Sequence, residues 1–339
     1  MPLLSTFATA TGATLAASAF LLRRKISKNW VSLQKDTTLL EDQTIIITGG
    51  NVGLGYETAK DLSKRNAKSV IIACRNIEKG NEAVSSIQKA TGMKNVKYMK
   101  LDLSSLDSVR AFLKKIEEEV PKVNVLICNA GVWIPEDANT EKTKDGYEMH
   151  FGVNHLAHYL LATSLKPKLE ASGNGRIIFV SSSLMKSGQI NFESKDFIYD
   201  GRKKDEESKS NFGPPPAYCD TKLMNAMTCR HLSKVLPSTV STYSVCPGFC
   251  RSSLGRSVKT SFLQKALVAP IMLLIQRTAL QGAQNILYAT ITPKEKLESG
   301  MLYKDGKLET DCNDYVDSIG EDMAKKLCEL SDELLKPNE

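Results

Sequence analysis

Six short runs of β-branched and apolar residues constrain this chain most: 43–48, 69–74, 96–101, 123–128, 176–181 and 239–246. They are short and mostly apolar, the pattern of strands buried on both faces rather than of a half-solvated sheet. Between them lie longer amphipathic stretches at 54–65, 77–90, 106–119, 145–169 and 217–236, with apolar residues at helical spacing. Strand and helix in alternation predict βαβ units. The fold class that follows is α/β: a doubly wound, mostly parallel, Rossmann-type sheet with helices on both faces. The length of 339 residues, with 42% hydrophobic and 24% charged residues, suits a single catalytic domain over 42–335 and excludes wholesale disorder. A net charge of +7 without an interleaved aromatic and basic stripe gives no sign of a nucleic-acid partner.

Several segments stand apart from this repeat. Residues 2–22 carry no charged side chain, and Arg23, Arg24, Lys25 and Lys28 follow. That arrangement predicts an N-terminal membrane anchor with a basic flank over 1–28, then a linker over 29–41. The catalytic domain should face the cytosol, at the endoplasmic reticulum or mitochondrial outer membrane. Residues 188–216, with a charged run after Gly201 and Gly213-Pro-Pro-Pro, read as a solvated insertion. The eight cysteines form no C-x-x-C pair and the four histidines have no ligand spacing. A reducing compartment and no metal are expected.

The chemistry begins at Thr48-Gly49-Gly50-Asn51-Val52-Gly53-Leu54-Gly55, between the first strand and the first helix. Glycines let a backbone turn tightly and approach a pyrophosphate, and a helix N-terminus offers N–H groups and positive potential. The second strand ends Cys74-Arg75-Asn76. No acidic residue stands there for a ribose 2′-hydroxyl, whereas Arg75 can hold a 2′-phosphate in a bidentate contact, so NADP(H) is the expected cofactor.

The TGxxxGxG spacing resembles the short-chain dehydrogenase/reductase family, over about 44–335. Further landmarks follow in order: Asp102-Leu103, Asn129-Ala130-Gly131, Asn154, and Pro247-Gly248 with Ser252. The segments 73–80, 154–158, 217–223 and 324–335 look like its retinol dehydrogenase-like branch. The resemblance implies cofactor contacts from Thr48, Gly49, Asn51, Gly53, Leu54, Gly55, Arg75, Asn76, Asp102, Leu103, Asn129, Ala130, Gly131, Tyr218, Lys222, Pro247, Gly248 and Ser252. It also implies a catalytic Tyr-x-x-x-Lys, which occurs at Tyr56/Lys60, Tyr199/Lys203, Tyr218/Lys222 and Tyr303/Lys307. Only Tyr218/Lys222 opens a helix with a continuing apolar face, and residues i and i+4 share one side of it.

In the family pattern Ser182 is the partner hydroxyl, with Ser181 and Ser183 as alternatives. Tyr218 would exchange a proton with the substrate oxygen, Ser182 would polarise that oxygen, Lys222 would lower the phenol's pKa, and Asn154 would hold a relay water. The branch implies a lipophilic alcohol interconverted with its aldehyde or ketone: a retinoid, a steroid or another lipid carbonyl. A lid is expected over 253–276, its apolar run at 262–275 resting on the membrane. The family resemblance is compatible with a homodimer. Other readings are a catalytically weak NADP-binding regulatory or scaffold protein, or a nucleotide-sugar epimerase or dehydratase on a related fold.

Overall fold

The computed structural model describes residues 21–134, 142–190, 192, 215–251, 254, 272 and 274–336. The expected membrane span, most of the insertion and of the lid, Tyr199 and Ser252 lie outside these residues. Among the described residues no helix is long and apolar enough to cross a membrane.

Eight strands form one sheet in the order β3-β2-β1-β4-β5-β6-β7-β8. They are β1 Thr44–Thr48, β2 Ser69–Cys74, β3 Val96–Lys100, β4 Val125–Cys128, β5 Gly175–Val180, β6 Val240–Val245, β7 Leu302–Lys304 and β8 Lys307–Leu308. All neighbours are parallel except the closing β7–β8 hairpin. The expected doubly wound sheet is therefore observed, with each anticipated strand within about two residues of its place. Successive side chains of a strand point to opposite faces, and both faces are covered here. Ile45, Ile47 and Ile72 pack with Leu62, Ile87 and Ile286 on one side. On the other, Ile46 and Ile71 pack with Phe112, Leu161 and Leu232.

The helices of the first half are α1 Gly53–Lys64, α2 Ile77–Thr91 and α3 Leu106–Glu119. The expected helix over 145–169 is broken. It contains a π-helix at Phe151–Leu156, then α4 Ala157–Ser164 and a short α5 Lys166–Glu170 that Pro167 opens. α6 Pro216–Val235 follows, then α7 Ala279–Ile291, α8 Thr310–Ile319 and α9 Glu321–Leu334.

The last helix, α9, lies across α6 and the 151–159 region. Ala324 and Leu327 pack with Leu223, Met227 and Phe151. Tyr159 Oη donates to Asp332 at 2.9 Å, His155 Nε2 lies 3.0 Å from Ser331 Oγ, and Tyr147 Oη reaches the Leu334 carbonyl at 3.0 Å. α6 is thus covered on two sides, which explains why 13 of its residues are buried.

Residues 29–41 run along the domain surface and are held to it. Leu33 N–H donates to Gln284 Oε1 at 2.7 Å, while Arg65 binds the Leu33 and Thr38 carbonyls and the Asp36 carboxylate. None of the eight cysteines is in a disulfide, and seven of them are buried.

Candidate active site

Chain order reverses between β1 and β4, with β2 and β3 laid to one side and β5 to β8 to the other. The crevice at such a switch point is where open α/β sheets hold ligands, and the turn from β1 into α1 and the residues that follow β4 and β5 stand at that end of the sheet. The turn from β1 into α1 forms its floor. The first N–H groups of any helix need partners from outside it. α2, α3 and α7 receive side-chain caps from Asn76, Ser105 and Thr278. α1 begins after Val52, with no side-chain cap and no acidic residue in its first turn. Its leading N–H groups are therefore open to an anion. A Cβ at Gly55 would lie 2.5 Å from the Gly49 carbonyl oxygen and 2.6 Å from Asn129 Nδ2, so the cradle closes too tightly for any side chain there. Uncapped donors beside a glycine turn fit the pyrophosphate of a dinucleotide.

Thr48 ties this floor to the rest of the crevice. Its Oγ1 accepts the N–H groups of Asn129 and Ala130, each at 2.9 Å, and Asn129 Nδ2 donates to the Thr48 carbonyl at 2.8 Å. Oγ1 also lies 2.9 Å from His158 Nε2, and His158 Nδ1 lies 3.1 Å from the Asn154 carbonyl. A carbonyl only accepts, so Nδ1 carries the proton, Nε2 accepts, and the Thr48 hydroxyl donates to it. Burial pushes His158 down to about 4, which keeps the ring neutral as this network requires. Sequence reasoning passed over His158; its position four residues after Asn154, on the same helical face, was the available signal.

At the other end of the crevice Arg75 and Asn76 are exposed after β2. The Asn76 side-chain oxygen is occupied by the α2 cap, accepting Lys79 N–H at 2.7 Å. Leu103 is buried. Asp102 Oδ1 accepts from Ser104 N and Oγ, and Lys144 Nζ stands 3.4 Å from Oδ2. Burial raises the Asp102 carboxyl, but the Ser104 bonds and the charges of Lys144 and Arg75 outweigh it and hold the group below the usual carboxylate range.

Tyr218 and Lys222 sit one turn apart on α6, both buried. The Tyr218 ring lies against Trp133, in the loop after β4, with centroids 4.7 Å apart, and meets His150 edge-on at 6.5 Å. Lys222 Nζ donates to the Val180 carbonyl at the end of β5 at 2.8 Å and stands 5.2 Å from the Tyr218 ring centroid. Burial pushes the Tyr218 phenol above its ordinary value and the Lys222 amine down to about 8. Desolvation thus outweighs the downward pull on Tyr218 that the sequence reading expected from Lys222. The two other pairs among the described residues are engaged elsewhere: Tyr56 Oη with Ser86, Lys60 with Glu57, and Tyr303 Oη with the Glu298 N–H.

The three serines after β5 differ in what their hydroxyls can do. Ser181 is buried and donates to the Lys222 carbonyl at 2.7 Å. Ser183 Oγ is 3.3 Å from both Cys246 Sγ and Lys304 Nζ. Ser182 Oγ accepts the Leu184 N–H at 3.2 Å, and among the described residues nothing takes its proton. Ser182 is therefore the hydroxyl with a hydrogen bond left to give.

Asn154 falls in the π-helix, a feature frequent at functional sites. Its Oδ1 accepts Val132 N–H at 2.7 Å, and its Nδ2 donates to the Val132 carbonyl and to Thr221 Oγ1. The amide is fully engaged as a staple between the loop after β4 and α6. The Asn154 main-chain carbonyl is engaged as well, by His158 Nδ1.

A second pair was not foreseen. His150 Nε2 accepts the Ile134 N–H at 3.0 Å, so Nδ1 donates to Glu148 Oε1 at 2.6 Å. Burial raises the Glu148 carboxyl, but the bonds from His150 and from the His150 and Phe151 backbone win and hold it below its ordinary value. Pro247 and Gly248 follow β6 at the crevice mouth.

Residues 43–194 match the family described as short chain dehydrogenase. The chain is 36% identical over 310 residues to retinol dehydrogenase 14 of Mus musculus, spanning 88% of this chain and 87% of that one. It is 38% identical over 270 residues to retinol dehydrogenase 11 of Homo sapiens, spanning 79% of each. The solved structure of L-sorbose reductase from Gluconobacter frateurii, complexed with NADPH and L-sorbose, matches with a TM-score of 0.60. It covers 79% of this chain and 96% of that one at 17% identity, a likeness of fold alone.

Proposed function

Because the chain belongs to the short-chain dehydrogenase family, as a retinol dehydrogenase-like oxidoreductase acting on CH–OH and C=O groups, we propose that it interconverts a lipophilic alcohol and its aldehyde or ketone with NADP(H). The observation that carries this reading is the convergence on one crevice of a buried Tyr218, Lys222 one turn away, and the uncommitted Ser182 hydroxyl. The cofactor, when bound, gives or takes the hydride at the substrate carbon.

The chain's own residues do the rest. The α1 N-terminus and Thr48–Gly55 hold the pyrophosphate, Asn129, Ala130 and Gly131 line its path, and Arg75 receives the 2′-phosphate. Ser182 donates to the substrate oxygen and polarises it. A phenol kept neutral by burial is a proton donor, so Tyr218 delivers its proton to that oxygen during reduction and recovers it during oxidation. Lys222 stays mostly protonated at neutral pH, and its charge eases loss of the Tyr218 proton. Trp133 packs against the Tyr218 ring, an apolar neighbour that suits a retinoid, steroid or long-chain carbonyl.

The test is loss of NADPH absorbance with retinal, long-chain aldehydes and steroid ketones. Stoichiometric NADPH loss, stronger with the more lipophilic carbonyls, is expected. Tight NADPH binding without turnover of any of them would favour a regulatory protein on the same fold.

The leader completes the reading as a single anchor that holds the domain on the cytosolic side of the endoplasmic reticulum or mitochondrial outer membrane. Deleting residues 1–20 should move the protein to the soluble fraction with its activity on a soluble aldehyde retained. A fully membrane-bound deletion product would refute the anchor.

A further inference from the structure

Where the leader enters the domain, it touches the loop at the crevice mouth. Residues 21–27 are helical. Arg23 Nη1 donates to the carbonyls of Leu274 and Gln276 at 3.2 and 3.1 Å, and Nη2 to Gln276 again at 3.1 Å. Trp30 stacks under two guanidinium groups: Arg277 Cζ lies 4.5 Å from a ring centroid and Arg23 Cζ 5.7 Å. Of the leader's basic residues, Arg24, Lys25 and Lys28 are exposed while Arg23 is half-buried at this contact.

Arg277 in turn supports the turn after β6. Its fork binds the Asp305 carboxylate at 2.6 and 2.8 Å, and its side chain is 6% exposed. Its backbone pairs with the turn, Arg277 N–H to the Phe249 carbonyl at 2.7 Å and Arg251 N–H to the Arg277 carbonyl at 2.8 Å. Gly248 adopts φ +78°, and a Cβ there would stand 2.6 Å from Arg277 Nε. Only glycine meets both demands. Gly248 thus rests directly on a guanidinium whose place is fixed by Asp305 and by the Trp30 ring. None of Arg23, Trp30, Gly248 and Arg277 lies within residues 43–194.

We propose that Trp30 and Arg23 are positioning residues for the cofactor: the entering leader clamps Arg277 beneath Gly248, and so sets the shape of the turn that meets the cofactor. This rests on the reading of Pro247 and Gly248 as cofactor contacts. The leader is then more than a tether, because the segment just after its helix and the cofactor turn meet on one guanidinium, that of Arg277. Removing the ring takes away the face that holds the guanidinium, and the 247–251 turn loses its support.

The experiment uses the full-length chain in detergent micelles, with NADPH affinity read by fluorescence titration and KM and kcat read on a soluble aldehyde. Trp30→Ala should weaken NADPH binding about 3- to 10-fold, in keeping with the loss of two stacked cations. The loss should fall on KM for NADPH, with KM for the aldehyde unmoved, and Trp30→Phe should restore most of it. Arg23→Gln should weaken NADPH binding in the same direction by about 2- to 5-fold. If wild type binds NADPH and neither Trp30→Ala nor Arg23→Gln changes its affinity, the clamp is refuted and the proposed function stands. If wild type does not bind NADPH, the proposed function falls, and the clamp with it. Should Trp30→Ala fail to fold, Arg23→Gln decides by the same measure.

Discussion

The tightest contact in the proposed phosphate cradle makes Gly55 a sharp test. A methyl group there would stand 2.5 Å from the Gly49 carbonyl oxygen and 2.6 Å from Asn129 Nδ2. Neither neighbour is the loose end of a long side chain: one is backbone, and the other is held by a 2.8 Å bond to the Thr48 carbonyl. Relief requires the loop to move off the helix or Asn129 to let go. Overpacking of this kind costs about 1–3 kcal/mol, and loss of the Asn129 bond adds about 1 kcal/mol. Gly55→Ala should therefore destabilise the chain by about 2–4 kcal/mol, lowering the melting temperature by about 4–8 °C at roughly 2 °C per kcal/mol.

Gly53 is the control. It has φ +60°, and nothing lies within 4 Å of the place a methyl group would take, so Gly53→Ala carries only the left-handed backbone strain, about 1–2 kcal/mol. Thermal melts of both variants without nucleotide decide the matter. If Gly55→Ala melts no lower than Gly53→Ala, the account of the cradle is wrong.

Other outcomes follow from the same geometry. Tyr218→Phe should abolish turnover and leave NADPH binding largely intact, while Tyr199→Phe should be nearly silent; activity assays beside NADPH titrations check both. Arg75→Ala should raise KM for NADPH by roughly 10- to 150-fold, from about 1.5–3 kcal/mol of charge-assisted contact, and leave KM for NADH nearly unchanged. Glu148 has a depressed native pKa, so its stabilisation is present above the ordinary 4.5 and lost as pH falls through the native value. Glu148→Gln should thus melt below wild type at pH 7, and the gap should close in melts run toward pH 3.

β1, β2, β4 and β5 were legible because parallel strands buried on both faces leave nearly continuous apolar runs; the edge strand β3, with its lysines exposed, and the Ser/Thr-rich β6 were legible only from their place in the alternation of strand and helix. Tyr218 and Lys222 were legible because the helix start at Pro216 and the apolar face beyond it separated them from three look-alike pairs. The π-helix was not. All six residues of Phe151–Leu156 are buried, the polar Asn154 and His155 among them, so the segment has no exposed face and shows no phase in which an extra residue per turn could appear. His158 and Arg277 were missed for another reason. Each is a buried polar group whose meaning lies in partners distant along the chain, Thr48 at 110 residues and Asp305 at 28. Residues 29–41 read as a linker because their contacts come from Arg65 and Gln284, and the segment has no periodicity of its own to reveal them.

The placement of α9 also bears on when the protein becomes competent. Four contacts fasten the end of the chain to the middle: Ser331 with His155, Asp332 with Tyr159, Leu334 with Tyr147, and Leu335 with Arg110, across 173 to 225 residues of sequence. Synthesis runs from the N-terminus at about 5–20 residues per second, so the helix bearing Tyr218 and Lys222 exists for several seconds before its cover does. Over that interval Leu223, Met227 and Phe151 have no α9 to pack against. A nascent chain of this kind can form the turn from β1 into α1 early, yet the helix bearing Tyr218 and Lys222 gains its full packing only when the last turn has been made. Loss of residues from 331 onward would therefore loosen the packing of the helix that bears Tyr218 and Lys222, through contacts made far from either side chain in sequence.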